Sequence, residues 1–199
     1  MSKHSNPTQE SSSRLYTSPE DDYDFVVTSD GSGHYTDMIG SWAAILTSKK
    51  YPQCARVTSV GCCTHTETGR AEFMAILTGL HTIITSMQYE KSSNTLMNLE
   101  ITMPTVLIIS DREDLVDGIL GKTEPQKNMD LWHQFSWYSK YFDIKAKHIP
   151  GHKGLREEHE RVDCLSGLGR IVFCDFIEHQ KDVKHIRDEQ DITHHQKLS

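Results

Sequence analysis

The alternation of apolar and polar residues along the chain predicts a succession of strands and helices. Short β-branched or alternating runs are typical of strands, and apolar residues recurring at intervals of three and four are typical of helices. The clearest helical pattern begins near Gly69 and ends at Met87, with Phe73, Ile76 and Leu80 on one stripe. The predicted strands cover residues 23–29, 41–48, 53–63, 105–110 and 142–149, and the predicted helices cover 69–87, 112–120, 128–141 and 157–178.

The order of these elements predicts the fold class. Three strands joined by short connections come first, which favours an antiparallel meander. The later strands alternate with helices, which favours parallel pairing with helices on the faces of the sheet. We therefore expect an α/β domain built on a five-stranded mixed sheet.

The ends of the chain differ in composition from its middle. Residues 1–22 are rich in Ser, Pro, Asp and Glu and nearly free of aliphatic side chains, so we expect a disordered leader. Residues 176–199 are charged and rich in histidine, without a core pattern. The expected organisation is a leader at 1–22, one folded domain at 23–175 and a C-terminal tail at 176–199.

Composition and charge restrict the possible class of protein. The chain has 199 residues, and none of its apolar runs approaches the roughly 18 residues of a membrane span, so we expect no membrane partner. The N-terminus has no apolar stretch of the secretory kind, and five cysteines without framework spacing favour reduced thiols in the cytoplasm. A net charge of −7 argues against a non-specific nucleic-acid coat protein, but it is compatible with an enzyme whose carboxylates hold cations.

Four acidic residues occupy positions that suggest a shared site. Asp30 and Asp111 each follow an apolar strand, Glu72 lies in the first turn of the helix after the meander, and Asp163 lies one turn into the last helix. If the two strands are neighbours, both aspartates emerge at one end of the sheet, where ligands of such folds bind. Converging carboxylates repel one another unless a cation lies between them, and hard oxygen ligands favour Mg²⁺ or Mn²⁺. Two such ions together can activate a water and stabilise the leaving oxygen of a phosphodiester.

Four motifs occur along the chain in the order that is typical of a known family. They are VVTSDGSG at 26–33, GRAEFMAIL at 69–77, VLIISDREDLVDGI at 106–119 and PGHKGLREEHERVDCL at 150–165. Over about three-quarters of its length the chain resembles type 1 ribonuclease H. The resemblance implies the ribonuclease H-like fold, with Asp30, Glu72, Asp111 and Asp163 as catalytic ligands of two Mg²⁺ or Mn²⁺ ions. It also implies that His152 assists proton transfer or product release.

The same resemblance implies a substrate and a reaction. The reaction is endonucleolytic cleavage of the RNA strand of an RNA–DNA hybrid, leaving 3′-hydroxyl and 5′-phosphate ends. Residues expected to contact nucleic acid are Gly31, Ser32, Arg70 and Lys153.

The sequence departs from the family pattern near the motifs. Family members often place Asn or Gln where this chain has Thr36, Thr68, Gly69 and Glu113, which affects how the 2′-hydroxyl of RNA is recognised. Only residues 120–128 separate two of the predicted helices, so the basic protrusion of many bacterial members is missing. We therefore expect weak binding to nucleic acid, with a partner protein or an additional nucleic-acid-binding domain supplying affinity. The oligomeric state expected by default is a monomer.

Two other functions remain open from the sequence. The replaced polar residues also suit a nuclease of the same fold that acts on DNA, as resolvases and transposases do. A non-catalytic nucleic-acid-binding module is the third possibility, although such a module gains nothing from four clustered charges.

Overall fold

The computed structural model of the chain describes residues 19–34, 38–93, 103–150 and 157–196, with side chains described for all of these except 19, 21, 34, 53, 88–93 and 181–196. Residues 1–18 of the expected leader lie outside this part, and so do His152 and Lys153. Within the described residues, none of the helices combines the length and the apolar character needed to cross a membrane.

The described strands form one mixed sheet, as predicted. Its spatial order is β3-β2-β1-β4-β5; β1, β2 and β3 are antiparallel, and β4 and β5 run parallel to β1. The strands are β1 (Phe25–His34), β2 (Ile39–Thr47), β3 (Val57–Thr64), β4 (Thr105–Ser110) and β5 (Asp143–His148).

Helices cover both faces of this sheet. They are α1 (Thr68–Ser93), α2 (Glu113–Ile119), α3 (Met129–Tyr138) and α4 (Glu157–Gln196). On one face Phe25 and Val27 of β1 are fully buried against Phe73 and Ile76 of α1. On the other face Ala43 and Ile45 of β2 are buried against Val162 of α4. The period-two alternation of the strands therefore buries side chains on both sides of the sheet.

Two element ends differ from the sequence prediction and bear on the site. The first strand was expected to end at residue 29, but β1 continues to His34 because β2 pairs with it along its whole length, including Asp30 with Ala43. The parallel pairing of β1 with β4 stops at Thr28, so Asp30 still lies just beyond the end of the β1–β4 ladder. The last helix was expected to end near residue 178, but α4 continues without interruption to Gln196.

The beginning of β3 also differs from the prediction. Residues 53–56 were assigned to the strand, whereas Pro52–Cys54 forms a 3-10 turn and the strand begins at Val57. The ladder between β2 and β3 ends with the pair of Leu46 and Val57, so residues 53–56 have no strand partner in β2.

Candidate metal centre

Three carboxylates from distant parts of the chain converge at one end of the sheet. One oxygen from each of Asp30, Glu72 and Asp111 lies within 4.8 Å of the other two. Asp30 and Glu72 are buried, with 6% and 3% of their surface exposed, and Asp111 is half-buried. Like charges at this spacing and depth repel strongly, so the arrangement requires either protonation or a cation.

Gly31 explains how Glu72 comes so close to β1. A Cβ atom at Gly31 would lie 2.2 Å from the backbone nitrogen of Glu72 and 2.5 Å from the carbonyl carbon of Ala71. The first turn of α1 therefore rests directly on the β1 backbone, and the Gly31 N–H donates a hydrogen bond to the Glu72 carboxylate. Gly33 repeats the close approach beside Thr68, with 2.6 Å between its hypothetical Cβ and the Thr68 nitrogen.

Asp111 is held by the backbone that follows β4. The Nε2 of His148, the last residue of β5, donates to the Asp111 carbonyl oxygen at 3.0 Å. The Ile149 N–H donates to the Ser110 carbonyl oxygen, also at 3.0 Å. Two hydrogen bonds from the end of β5 therefore fix the peptide that carries the third carboxylate.

The electrostatics of the three carboxylates favour a bound cation. Burial, followed by the charges of Asp30 and Asp111, raises the pKa of Glu72 to about 10, although Arg112 and the Gly31 N–H act in the opposite direction. Glu72 Oε2 and Asp111 Oδ1 are buried without a hydrogen-bond partner. Buried oxygens are rarely left unpaired. Carboxylate oxygens are the ligands that Mg²⁺ and Mn²⁺ prefer, so the residues present fit such an ion.

Asp163, the fourth predicted ligand, lies outside the group of three. It is half-buried on α4, three residues before the buried Ser166. The Ser166 hydroxyl donates to Asp30 Oδ2, and the Asp163 carbonyl oxygen is 3.0 Å from the same hydroxyl. The turn that carries Asp163 is thus attached to Asp30, and the role of its carboxylate stays a prediction.

Comparison with known proteins identifies the family. The family model for RNase H matches residues 22–170. The chain belongs to the RNase H family. Ribonuclease HI of Campylobacter jejuni is 26% identical over 160 residues, which cover 80% of this chain and 97% of that protein. The recognition made from the motifs is confirmed, and the chain is a ribonuclease H-type phosphodiester hydrolase.

Solved structures confirm the RNase H fold. The N-terminal RNase H domain of Rv2228c from Mycobacterium tuberculosis aligns with a TM-score of 0.59 at 13% identity, covering 78% of this chain and 99% of that one. LC11-RNase H1, solved in complex with an RNA/DNA hybrid, aligns with a TM-score of 0.57 at 17% identity, covering 75% of this chain and 99% of that one.

Three of the four residues of this RNase H that were expected to contact nucleic acid make internal contacts in the structure, and the fourth, Lys153, lies outside the described residues. Gly31 is buried beneath α1, and the Ser32 hydroxyl accepts a hydrogen bond from Arg170 Nε at 3.2 Å. The Arg70 guanidinium bonds both carboxylate oxygens of Asp130, at 2.9 and 2.5 Å, and so ties α1 to α3. Their contacts with nucleic acid stay predictions.

Sequence reasoning missed Arg112, which follows the third carboxylate of the RNase H cluster. Its guanidinium makes two hydrogen bonds to Asp114, at 2.9 and 2.8 Å, and lies against the Cα of Gly69. It lines a cavity of about 360 Å³ together with Lys127 and Trp132. Ser166 and His148 were missed as well, because a serine in a helix and a histidine in a strand carry no local signal of what they contact across the fold.

Proposed function

We propose that this RNase H cleaves the RNA strand of RNA–DNA hybrids internally, with two Mg²⁺ or Mn²⁺ ions held at the carboxylate cluster. The observation that carries the proposal is the convergence of Asp30, Glu72 and Asp111 with two buried carboxylate oxygens that lack a partner. The products are a 3′-hydroxyl and a 5′-phosphate end.

Each residue of the site has a distinct task in this proposal. When bound, the ions would activate a water for attack by lowering its pKa. They would also supply positive charge that stabilises the leaving oxygen. Asp30, Glu72 and Asp111 are ligands, and Asp163 is the fourth. Ser166 donates to one oxygen of Asp30 and so orients the carboxylate, as partners of metal ligands commonly do. His152 assists proton transfer or release of the product.

Hybrid specificity and affinity are further parts of the proposal. The LC11 relative was solved with an RNA/DNA hybrid, which supports the same substrate class here. The connection between α2 and α3 contains only residues 120–128 and the chain is acidic, so a partner protein or an added nucleic-acid-binding domain supplies part of the affinity. All five cysteines are free, which supports a reducing, cytoplasmic setting.

Cleavage of a labelled RNA–DNA hybrid in Mg²⁺ tests the catalytic proposal. Asp30→Asn removes a negative ligand, and we expect it to lower kcat by at least about 100-fold, since metal-ion stabilisation amounts to several kcal/mol. Asp175→Asn on the exposed part of α4 makes the same change away from the site and should retain full activity. Equal activity of Asp30→Asn and wild type contradicts the proposal.

A DNA-directed nuclease is the second candidate, favoured by Thr68, Gly69 and Glu113 in places where family members often carry amides. A panel of hybrid, duplex DNA, branched DNA and single strands separates the two. Preference for a DNA-only substrate supports this second candidate. Absence of Mg²⁺ or Mn²⁺ binding at millimolar concentration in calorimetry supports a non-catalytic module instead.

A further inference from the structure

The last helix extends far beyond the catalytic domain. Ser166 is the last buried residue among the described side chains of α4. Gly169 still lies against Val60 of β3, and Arg170 bonds Ser32 of β1. The helix then continues from Ile171 to Gln196, a further length of about 39 Å at 1.5 Å per residue.

The projecting part of α4 carries exposed apolar side chains. Val172 and Phe176 are 66% and 55% exposed, and Leu168, one turn before them, is 52% exposed. A single helix of this kind is marginally stable in water, because most helical stability in proteins comes from packing of an apolar face. A contiguous exposed apolar surface on a soluble protein marks an interaction site.

Four apolar residues and one histidine of this segment fit a coiled-coil repeat. Val172, Phe176, His179, Val183 and Ile186 succeed one another at intervals of four, three, four and three, which places them at alternating d and a positions of a heptad, with the histidine at a d position. At 3.6 residues per turn this stripe lies about a quarter turn around α4 from the sheet-facing side marked by Val162 and Ser166. A second helix on the stripe therefore does not compete with the sheet for the same side of α4.

The charges beside the stripe suit a second copy of the same helix running parallel to the first. Three of the four g positions are acidic, and the e positions are neutral or basic. A parallel pair places each g residue against the e residue five positions later in the partner, which joins Asp182 to Arg187 and Glu189 to His194. An antiparallel pair places acidic g positions against each other. The g positions are Asp175, Asp182, Glu189 and Gln196, and the e positions are Phe173, Gln180, Arg187 and His194.

We propose that two copies of this chain associate through a parallel coiled coil formed by the α4 segment from Val172 onward. The dimer replaces the monomer expected by default from the sequence. It is independent of the catalytic proposal, because none of the four predicted metal ligands lies in the segment.

Sedimentation equilibrium of the full-length chain tests the dimer. We expect a mass of about twice 22.7 kDa at micromolar concentration. Phe176→Glu, at an a position, should raise the dimer dissociation constant on the order of 100-fold, since each dimer loses two buried phenylalanines. Ile171→Glu is the matched control: Ile171 is 51% exposed on the same helix but at a c position, so its substitution should leave the dimer unchanged.

The direction of pairing has its own test, which also applies if Phe176→Glu fails to fold. Arg187→Glu should weaken the dimer by placing like charges at the Asp182 contact, and adding Asp182→Lys in the same chain should restore it. A wild-type mass near 22.7 kDa at all concentrations overturns the proposal, as does equal weakening by Ile171→Glu and Phe176→Glu. Failure of the double variant to restore association overturns the parallel arrangement.

Discussion

Glu72 is the residue of the site at which burial and charge oppose ionisation most strongly. It is 3% exposed, and its pKa is raised from 4.5 to about 10, first by burial and then by Asp30 and Asp111. At neutral pH without a cation, the neutral carboxylic acid is therefore the favoured form. A divalent ion requires the ionised form, so its binding must expel a proton.

This displacement of a proton gives the metal affinity a definite pH dependence. Because the pKa of Glu72 is about 10, we expect Mg²⁺ or Mn²⁺ affinity to rise with pH between neutrality and 10, by up to about tenfold per pH unit. Calorimetry in two buffers of different ionisation enthalpy measures the released proton directly. Glu124→Gln, which changes an exposed glutamate, should preserve the release. Affinity that stays constant over this range contradicts the expectation.

His148 acts on the site through the backbone of Asp111. Replacing it with Phe removes the 3.0 Å hydrogen bond to the Asp111 carbonyl oxygen. We expect the Mg²⁺ concentration for half-maximal cleavage to rise by about tenfold, at the lower end of what altered partners of metal ligands cause. His148→Gln retains an N–H donor and should recover part of the loss. If Gln and Phe behave alike, the hydrogen bond is not what positions Asp111.

At the scale of the element, the spacing between β1 and α1 depends on Gly31. Gly31→Ala places a Cβ 2.2 Å from the Glu72 backbone nitrogen, so the helix must shift. We expect the free energy of unfolding to fall by about 3 kcal/mol, with loss of most activity as Glu72 moves. Urea denaturation measures the first effect and hybrid cleavage the second. Gly167→Ala on α4 meets no atom within 4 Å and should be neutral or slightly stabilising, since alanine favours helix.

The elements differ in how far the sequence alone predicts them. The strand at residues 105–110 matches β4 at both ends, because its short apolar run is buried on both faces and bounded by polar residues. The length of β1 was underestimated, because pairing with β2 carries Asp30 and the following glycines within the strand. The predicted end of α4 was also wrong, because the residues after 178 are mostly charged or polar and their composition favoured a tail over a helix.

The site was also predictable only in part, because local sequence patterns point to some of its residues and not to others. Asp30, Glu72 and Asp111 stand at recognisable places relative to their strands and helix, and their convergence is confirmed. The contact between Ser166 and Asp30 joins residues 136 positions apart, and a helical serine gives no indication of such a partner. Long-range hydrogen bonds of this kind depend on how elements pack, which local patterns do not encode.

At the scale of the whole molecule, we expect the acidic balance to determine how strongly salt affects substrate binding. With a net charge of −7 and a short connection between α2 and α3, the chain has little long-range attraction for a polyanion. We expect KM for a hybrid to rise steeply as salt increases from about 50 to about 200 mM, as phosphate contacts weaken. Fusion of a basic nucleic-acid-binding domain should lower KM at low salt and make this dependence steeper, because it adds phosphate contacts. Cleavage that is indifferent to salt contradicts the expectation.

The hydrogen bond between His148 and the Asp111 carbonyl oxygen has a consequence for the segment that follows it. Residues 149 and 150 follow His148 directly, so the described part of this segment begins at a hydrogen bond to the backbone of Asp111. A change in the position of Asp111 would therefore be transmitted to the end of β5 as well, and a ligand of the proposed metal site is coupled to the strand beside it.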